Sequence, residues 1–229
     1  MIPIAGISLL YNGLINGFIG WRAYRARHTT GNLLFQYYYQ YSIILSIAFT
    51  IYGFFPTFMP ENIQLLNASF ITGGVFVLIS FAFLIRFIFL ALNRKFLAVI
   101  LPILCVLMAM ALILLGLLYP KNPFIDQYGL YHPNQSIQFN VAFFSVIALI
   151  TIPTGLLFIF SSFNNAHLKM RSLFLGIGFF VASIGSFLAI TQNNTLMLAS
   201  GFTLMTIGFT FMLFLFLFSP DKPENNMIE

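Results

Sequence analysis

Residues 172–220 read SLFLGIGFFVASIGSFLAITQNNTLMLASGFTLMTIGFTFMLFLFLFSP, without one charged side chain. A helix crossing the hydrocarbon of a bilayer needs about 20 mostly apolar residues at a rise of about 1.5 Å each. The run is long enough for two such helices, and the cluster Thr191, Gln192, Asn193, Asn194 and Thr195 supplies the turn chemistry that divides it. Towards the N-terminus the pattern repeats: residues 1–21, 28–60, 62–85, 96–120 and 127–168 are likewise free of Lys, Arg, Asp and Glu. Each of these runs accommodates one crossing, which brings the count to seven.

Composition agrees with this division. Of the 229 residues 60% are hydrophobic and 7% charged, against roughly a quarter charged in an ordinary soluble chain. The expected fold class is an all-α membrane protein, a seven-transmembrane helix bundle. Its spans are expected at about 2–21, 33–55, 66–92, 96–119, 141–163, 172–190 and 196–218, all within a transmembrane domain 1–218, followed by a short disordered cytoplasmic tail, 219–229. The apolar start competes with a signal peptide, but no positive segment precedes it and it leads into Arg22, Arg25 and Arg27 rather than a small-residue cleavage site. It reads as a retained first helix. No room is left between the spans for a soluble catalytic or nucleic-acid-binding domain.

Orientation follows from the basic residues, which short cytoplasmic loops retain. With the N-terminus outside and the C-terminus cytoplasmic, the inner connections hold Arg22, Arg25, Arg27, Arg94, Lys95, Lys169, Arg171 and Lys222, and the outer ones hold only Lys121. The localisation expected is the cell membrane. The longest outer loop, residues 120–140, has a hairpin signature from Phe124 to Tyr131 around Tyr128 and Gly129. Asn67, Asn134 and Asn193 each open an Asn-x-Ser/Thr pattern assigned to the outer side.

Chemistry is constrained by what the spans lack. An ionisable side chain at the bilayer centre costs at least about 2.5 kcal/mol, so a protein that uses one shows it. All five carboxylates, Glu61, Asp126, Asp221, Glu224 and Glu229, fall outside the expected helices, which argues against ion-coupled transport. No lysine lies between Leu196 and Phe218 to carry a retinal Schiff base. His28, His132 and His167 sit at or beyond helix ends, where they cannot clamp a haem. Cys105 is the only cysteine. No catalytic activity, cofactor or metal is therefore expected, and the remaining route to an enzyme is a loop site built from residues such as Asp126 and His132.

Five residues stand out as ligand or cavity candidates. Asn12 and Asn16 are four apart and share a face of the first helix, as do Gln36 and Gln40 on the second. An amide facing lipid is costly, so these faces turn inward, either as hydrogen-bonding glue between helices or as the lining of a polar cavity. Arg86 is the one charge set back from a helix end. Its stem reaches the cytoplasmic interface by snorkelling, or its guanidinium binds an anion or helix carbonyls. Tyr37, Tyr38, Tyr39 and Tyr41 read most simply as an interfacial aromatic belt with Trp21. Gly13 and Gly17, and Gly178, Ala182 and Ser186, form small-residue stripes that let helices approach within the bundle or within a homo-oligomer.

The basic exit from the first helix, Trp21-Arg22-Ala23-Tyr24-Arg25-Ala26-Arg27, is followed by Thr29-Thr30-Gly31-Asn32 before the second. With the outside N-terminus, short connections and a longer loop after the fourth helix, this layout resembles the seven-transmembrane sensor region of bacterial histidine kinases and related signalling proteins. The resemblance covers essentially the whole chain by layout and transfers no functional residue. It implies a non-catalytic, sensor-like ligand- or lipid-binding module, or the membrane subunit of a larger complex. Such sensors usually continue into a cytoplasmic kinase or cyclase, whereas here only residues 219–229 follow the last helix. The partners expected are membrane lipids and a protein docked on the basic cytoplasmic face. The alternative is a passive channel or facilitative transporter lined by Asn12, Asn16, Gln36 and Gln40.

Overall fold

The computed structural model describes residues 3–118, 122–132, 134, 137–164, 169–191 and 194–217. The expected tail, 219–229, lies outside the described residues, as do Lys121, His167 and Asn193. Seven helices are present among those described: α1 (Ile4–Thr30), α2 (Leu33–Phe58), α3 (Ile63–Ala91), α4 (Leu97–Leu118), α5 (Ile137–Asn164), α6 (Lys169–Thr191) and α7 (Thr195–Leu217). Each contains a segment long and apolar enough to cross a membrane, so the chain reads as a multi-pass membrane protein.

Helix ends depart from the limits of the charge-free runs, for reasons internal to the backbone. α1 continues past Trp21 through Arg22, Arg25 and Arg27, because charge opposes burial in lipid and not helical hydrogen bonding. It ends at Gly31, whose left-handed φ of 67° turns its N–H back to the Arg27 carbonyl at 2.8 Å. α2 likewise runs through Pro56 to Phe58 instead of stopping at Phe55. Asn62 then caps α3, its side chain accepting from the Leu65 N–H at 3.1 Å. The expected outer loop around Glu61 thus shrinks to four residues, 59–62. The sequon at Asn67 falls inside α3, with the Ser69 hydroxyl buried and donating to the Leu66 carbonyl.

Between α4 and α5 lies the hairpin anticipated around Tyr128 and Gly129. β1 (Phe124–Ile125) pairs antiparallel with β2 (Tyr131–His132), Phe124 opposite His132. Gly129 takes φ 76°, a left-handed turn conformation that glycine adopts without strain. The start of α1 meets this hairpin, since the Ala5 N–H donates to the Gly129 carbonyl at 3.3 Å. We therefore distinguish a hairpin end of the bundle from an arginine end, where α1 and α3 finish beside Arg27 and Arg94.

α1, α2, α3, α5, α6 and α7 stand in a ring, each packed on its neighbours, with α1 against α7 closing one side and a short α3–α5 contact closing the other. α4 leans on α3 from outside the ring. Its outward side chains, among them Ile103, Leu107, Met110 and Leu114, are exposed, as befits a lipid-facing helix.

Glycine sets the closest approaches in this ring. A Cβ built on Gly201 would stand 2.8 Å from the Gly185 carbonyl oxygen, and one on Gly208 would stand 2.7 Å from that of Gly178, so α6 and α7 touch backbone to backbone at two levels. Gly155 with Gly176 does the same for α5 and α6, and Gly6 with Gly53 for α1 and α2. Gly13 and Gly17 also face α2, where the Ser46 hydroxyl donates to the Gly13 carbonyl at 2.7 Å. The small-residue stripes thus serve contacts inside the bundle. Over-packing such a contact costs about 1–3 kcal/mol. Gly201→Val and Gly208→Val should each lower the unfolding midpoint in mild detergent, measured by circular dichroism. Gly17→Ala, which meets only the Ser46 side chain at 3.1 Å or beyond, should lower it less.

Candidate functional site

Inside the ring lies a cavity of about 110 Å³. Its wall runs from Tyr41 to Tyr52 on α2, Phe70 to Phe81 on α3, Phe179 to Ala189 on α6 and Phe202 to Met212 on α7. Eleven or twelve residues of helix correspond to about 15 Å of length, so the space is elongated along the bundle axis. Leu9 of α1, Phe143, Ile147 and Thr151 of α5, and Tyr131 of the hairpin complete it.

The polarity of this wall is mostly spent. The Thr151 hydroxyl donates to the Ile147 carbonyl at 2.9 Å, Ser183 to Phe179 at 2.6 Å and Ser186 to Ala182 at 2.8 Å, each satisfying itself on its own helix. What the wall presents is aliphatic and aromatic. An apolar space of this size stays dry and accepts a small apolar guest.

Five rings link the helices near the arginine end of the cavity. Tyr38 contacts Phe87 at 5.5 Å between centroids, Phe87 stacks on Phe158 at 6.3 Å, Phe158 on Phe179 at 5.9 Å and Phe179 on Tyr41 at 6.3 Å. Tyr41 returns to Tyr38 at 5.8 Å, so the circuit crosses α2, α3, α5 and α6. Tyr38 and Tyr41, expected in an interfacial belt, are instead buried in the bundle. Their spacing in the sequence places them on the inner face only once the facing helices are known.

At the opposite end the hairpin is fastened to three helices. Besides the Ala5 contact on α1, the Tyr131 hydroxyl donates to the Leu66 carbonyl of α3 at 3.3 Å, and the Thr195 hydroxyl of α7 donates to Asp126 at 3.4 Å. Asp126 organises the turn. Its Oδ1 accepts from the Tyr128 and Leu130 N–H groups, both at 2.9 Å, and its Oδ2 lies 3.0 Å from Nε2 of His132. His132 is buried and stacked face to face on Phe124, 4.5 Å between centroids. Burial of the Asp126 carboxyl raises its pKa, but the His132 hydrogen bond, then those from Leu130 and Tyr128, outweigh it and hold the group below its ordinary value. Burial also pushes the Tyr131 phenol up.

None of the five residues singled out by the sequence lines the cavity. Asn12 and Asn16 are fully buried at the α1–α7 seam: Asn12 Nδ2 donates to the Thr206 hydroxyl at 3.2 Å, and Asn16 Nδ2 to the Asn12 carbonyl at 2.9 Å. Ser8 joins this cluster, 2.8 Å from the Thr206 hydroxyl. Gln36 and Gln40 are half-buried on α2, and Gln40 Oε1 is buried without a hydrogen-bond partner among the described residues. Arg86 lies exposed on α3, its guanidinium 5.2 Å from the Tyr37 ring centroid. Among the described residues no three His, Cys, Asp or Glu side chains gather as a metal site.

The lowered Asp126 pKa carries a pH dependence of known sign. A carboxyl held below its unfolded value stabilises the fold at pH above the ordinary carboxylate range and loses that contribution as pH falls through the lowered value. Hydrogen exchange of the Tyr128 and Leu130 amides should therefore accelerate as pH falls below about 3.8, after correction for intrinsic rates. In Asp126→Asn protection should be weaker at neutral pH and lack this step.

Compared with known proteins, the chain matches no protein family, no curated relative and no solved structure.

Proposed function

We propose that the chain is a non-catalytic, sensor-like module of the cell membrane that binds a small apolar ligand in its central cavity. The observation that carries this reading is the wall itself: aromatic and aliphatic side chains from six helices surround an elongated space whose Ser and Thr hydroxyls are consumed locally. A guest for such a space is dissolved in the bilayer, not in water. It enters across the α3–α5 seam, where the ring is least closed. The distribution of basic residues supports an orientation with the hairpin facing outward and the arginine end cytoplasmic.

The fastening of the hairpin to α1, α3 and α7 offers a route for signal. A guest that displaces Tyr131, which both lines the cavity and bonds α3, alters how three helices are held together. The output passes to a protein partner at the arginine end, where Arg25, Arg94 and Lys95 are exposed and anionic lipids are also attracted. The rival reading, a passive pathway for a polar solute, is less well supported. Asn12 and Asn16 are engaged at the α1–α7 seam, and no amide lines the cavity among the described residues.

Val77 sits mid-cavity on α3 and is replaceable by a side chain that fills the space. In protein labelled at methionine methyl carbons, xenon should shift and saturate the Met205 and Met212 resonances, both methionines lining the cavity. Val77→Trp should abolish the saturable shift while leaving the unfolding midpoint unchanged or raised. Equal xenon response in the folded variant would refute cavity occupancy.

A further inference from the structure

Arg86 is exposed on α3 and takes no part in the cavity wall. Its depth follows from the helix that carries it. The 29 residues of α3 span about 43 Å, close to the thickness of a bilayer with its headgroups, about 40–45 Å. Arg86 lies five residues inside the end at Ala91, or about 7–8 Å. That is the boundary between the headgroups and the hydrocarbon, which is about 30 Å thick.

A guanidinium at this depth needs a counter-charge. The carboxylates among the described residues are Glu61 and Asp126, and both stand at the hairpin end, the length of α3 away. What the bundle offers instead is a ring face: Tyr37, one turn into α2, has its centroid 5.2 Å from the guanidinium. A ring steadies the cation but leaves its N–H donors for oxygen acceptors. The neighbouring surface is polar too. At about 100° per residue, Gln40 and Gln36 lie about 60° and about 100° to one side of Tyr37, and the buried Tyr41 and Tyr38 lie about 40° and about 100° to the other. Both amides therefore flank Tyr37 on the side away from the interior.

We propose that the outer groove between α2 and α3 binds one anionic phospholipid of the leaflet at the arginine end. The planar fork of Arg86 takes the phosphate, Tyr37 backs the guanidinium, and Gln36 and Gln40 meet the headgroup and glycerol esters. The single net charge of an anionic lipid is matched by Arg86, whereas a choline or ethanolamine headgroup brings an ammonium to a surface without a carboxylate. Arg94 and Lys95, exposed beyond the end of α3, add to the attraction. A lipid is favoured over a free phosphate because Arg86 stands where acyl chains begin. The site depends neither on the cavity's guest nor on which leaflet the arginine end meets.

The full chain in mild detergent is titrated with phosphatidylglycerol or phosphatidylcholine, and native mass spectrometry gives the affinity for the first lipid bound. Wild type should prefer phosphatidylglycerol about ten-fold, the worth of one charge-assisted hydrogen-bonded pair. Arg86→Gln should lose this preference while keeping its unfolding midpoint, since the side chain is exposed. Arg27→Gln, which removes the same charge from the same end of the bundle, should keep the preference. Tyr37→Leu keeps every charge and should weaken phosphatidylglycerol binding about three-fold. An undiminished preference in Arg86→Gln would overturn the site. So would an equal loss in Arg27→Gln, which would show diffuse charge attraction alone. Displacement of the lipid by glycerol phosphate at the same free concentration would assign Arg86 to a soluble anion and overturn the lipid reading. Should Arg86→Gln fail to fold, Tyr37→Leu decides, and wild-type affinity for phosphatidylglycerol in that variant refutes the proposal.

Discussion

Backbone contact through glycine is the constraint on which the remaining geometry depends. Between helices in lipid there is no hydrophobic driving force, because acyl chains are as apolar as leucine, so association rests on close van der Waals packing and on hydrogen bonds. Gly6 with Gly53, Gly155 with Gly176, and Gly178 and Gly185 with Gly208 and Gly201 bring three pairs of neighbours into direct contact. Neighbours drawn this close form a tight arc. Helices facing each other across the ring cannot be equally close, and the distance between them is spanned by Phe and Tyr. Large rings meeting from several directions leave residual space, and the cavity is that residue.

The α3–α5 joint differs in kind. Among the glycines whose neighbours are described none meets a residue across it, and Phe87 stacks on Phe158 there. Stacked rings separate at less cost than interlocked backbones, since sliding a side chain disturbs no helix axis. The ring therefore has firm arcs and one soft seam. α4 packs chiefly on α3, outside the circle.

Much of this architecture was legible in the residue order. Charge-free runs located the helices, the polar cluster at 191–195 separated α6 from α7, and Tyr128-Gly129 marked the hairpin. Helix ends were less legible, since hydrogen bonding in water beyond the bilayer follows backbone rules that apolar length does not express. Arg25 and Arg27 continue α1 until Gly31 stops it, and Pro56 is carried within α2. Asn12 and Asn16 are buried, yet they serve a seam and not a cavity, and Gln36 and Gln40 are half-buried. Which interior a polar face meets depends on the partner helix, here Thr206 from the far end of the chain.

The cavity residues were illegible for a related reason. Thr151, Ser183 and Tyr41 are all polar letters in apolar runs, and nothing in their order distinguishes them. The distinction is one of reach. A Ser or Thr hydroxyl is short enough to return to the carbonyl four residues earlier, and so disappears from the chemistry of the wall. The tyrosine hydroxyl stands a full ring away from its backbone and cannot. A tyrosine hydroxyl on such a wall has to find its partner on another element, as Tyr131 does at the Leu66 carbonyl of α3. The ring of Tyr41 packs between those of Phe81 and Phe179. With Thr151, Ser183 and Ser186 settled on their own helices, the shape of the aromatic wall and not a hydrogen bond from these three is what distinguishes one apolar guest from another.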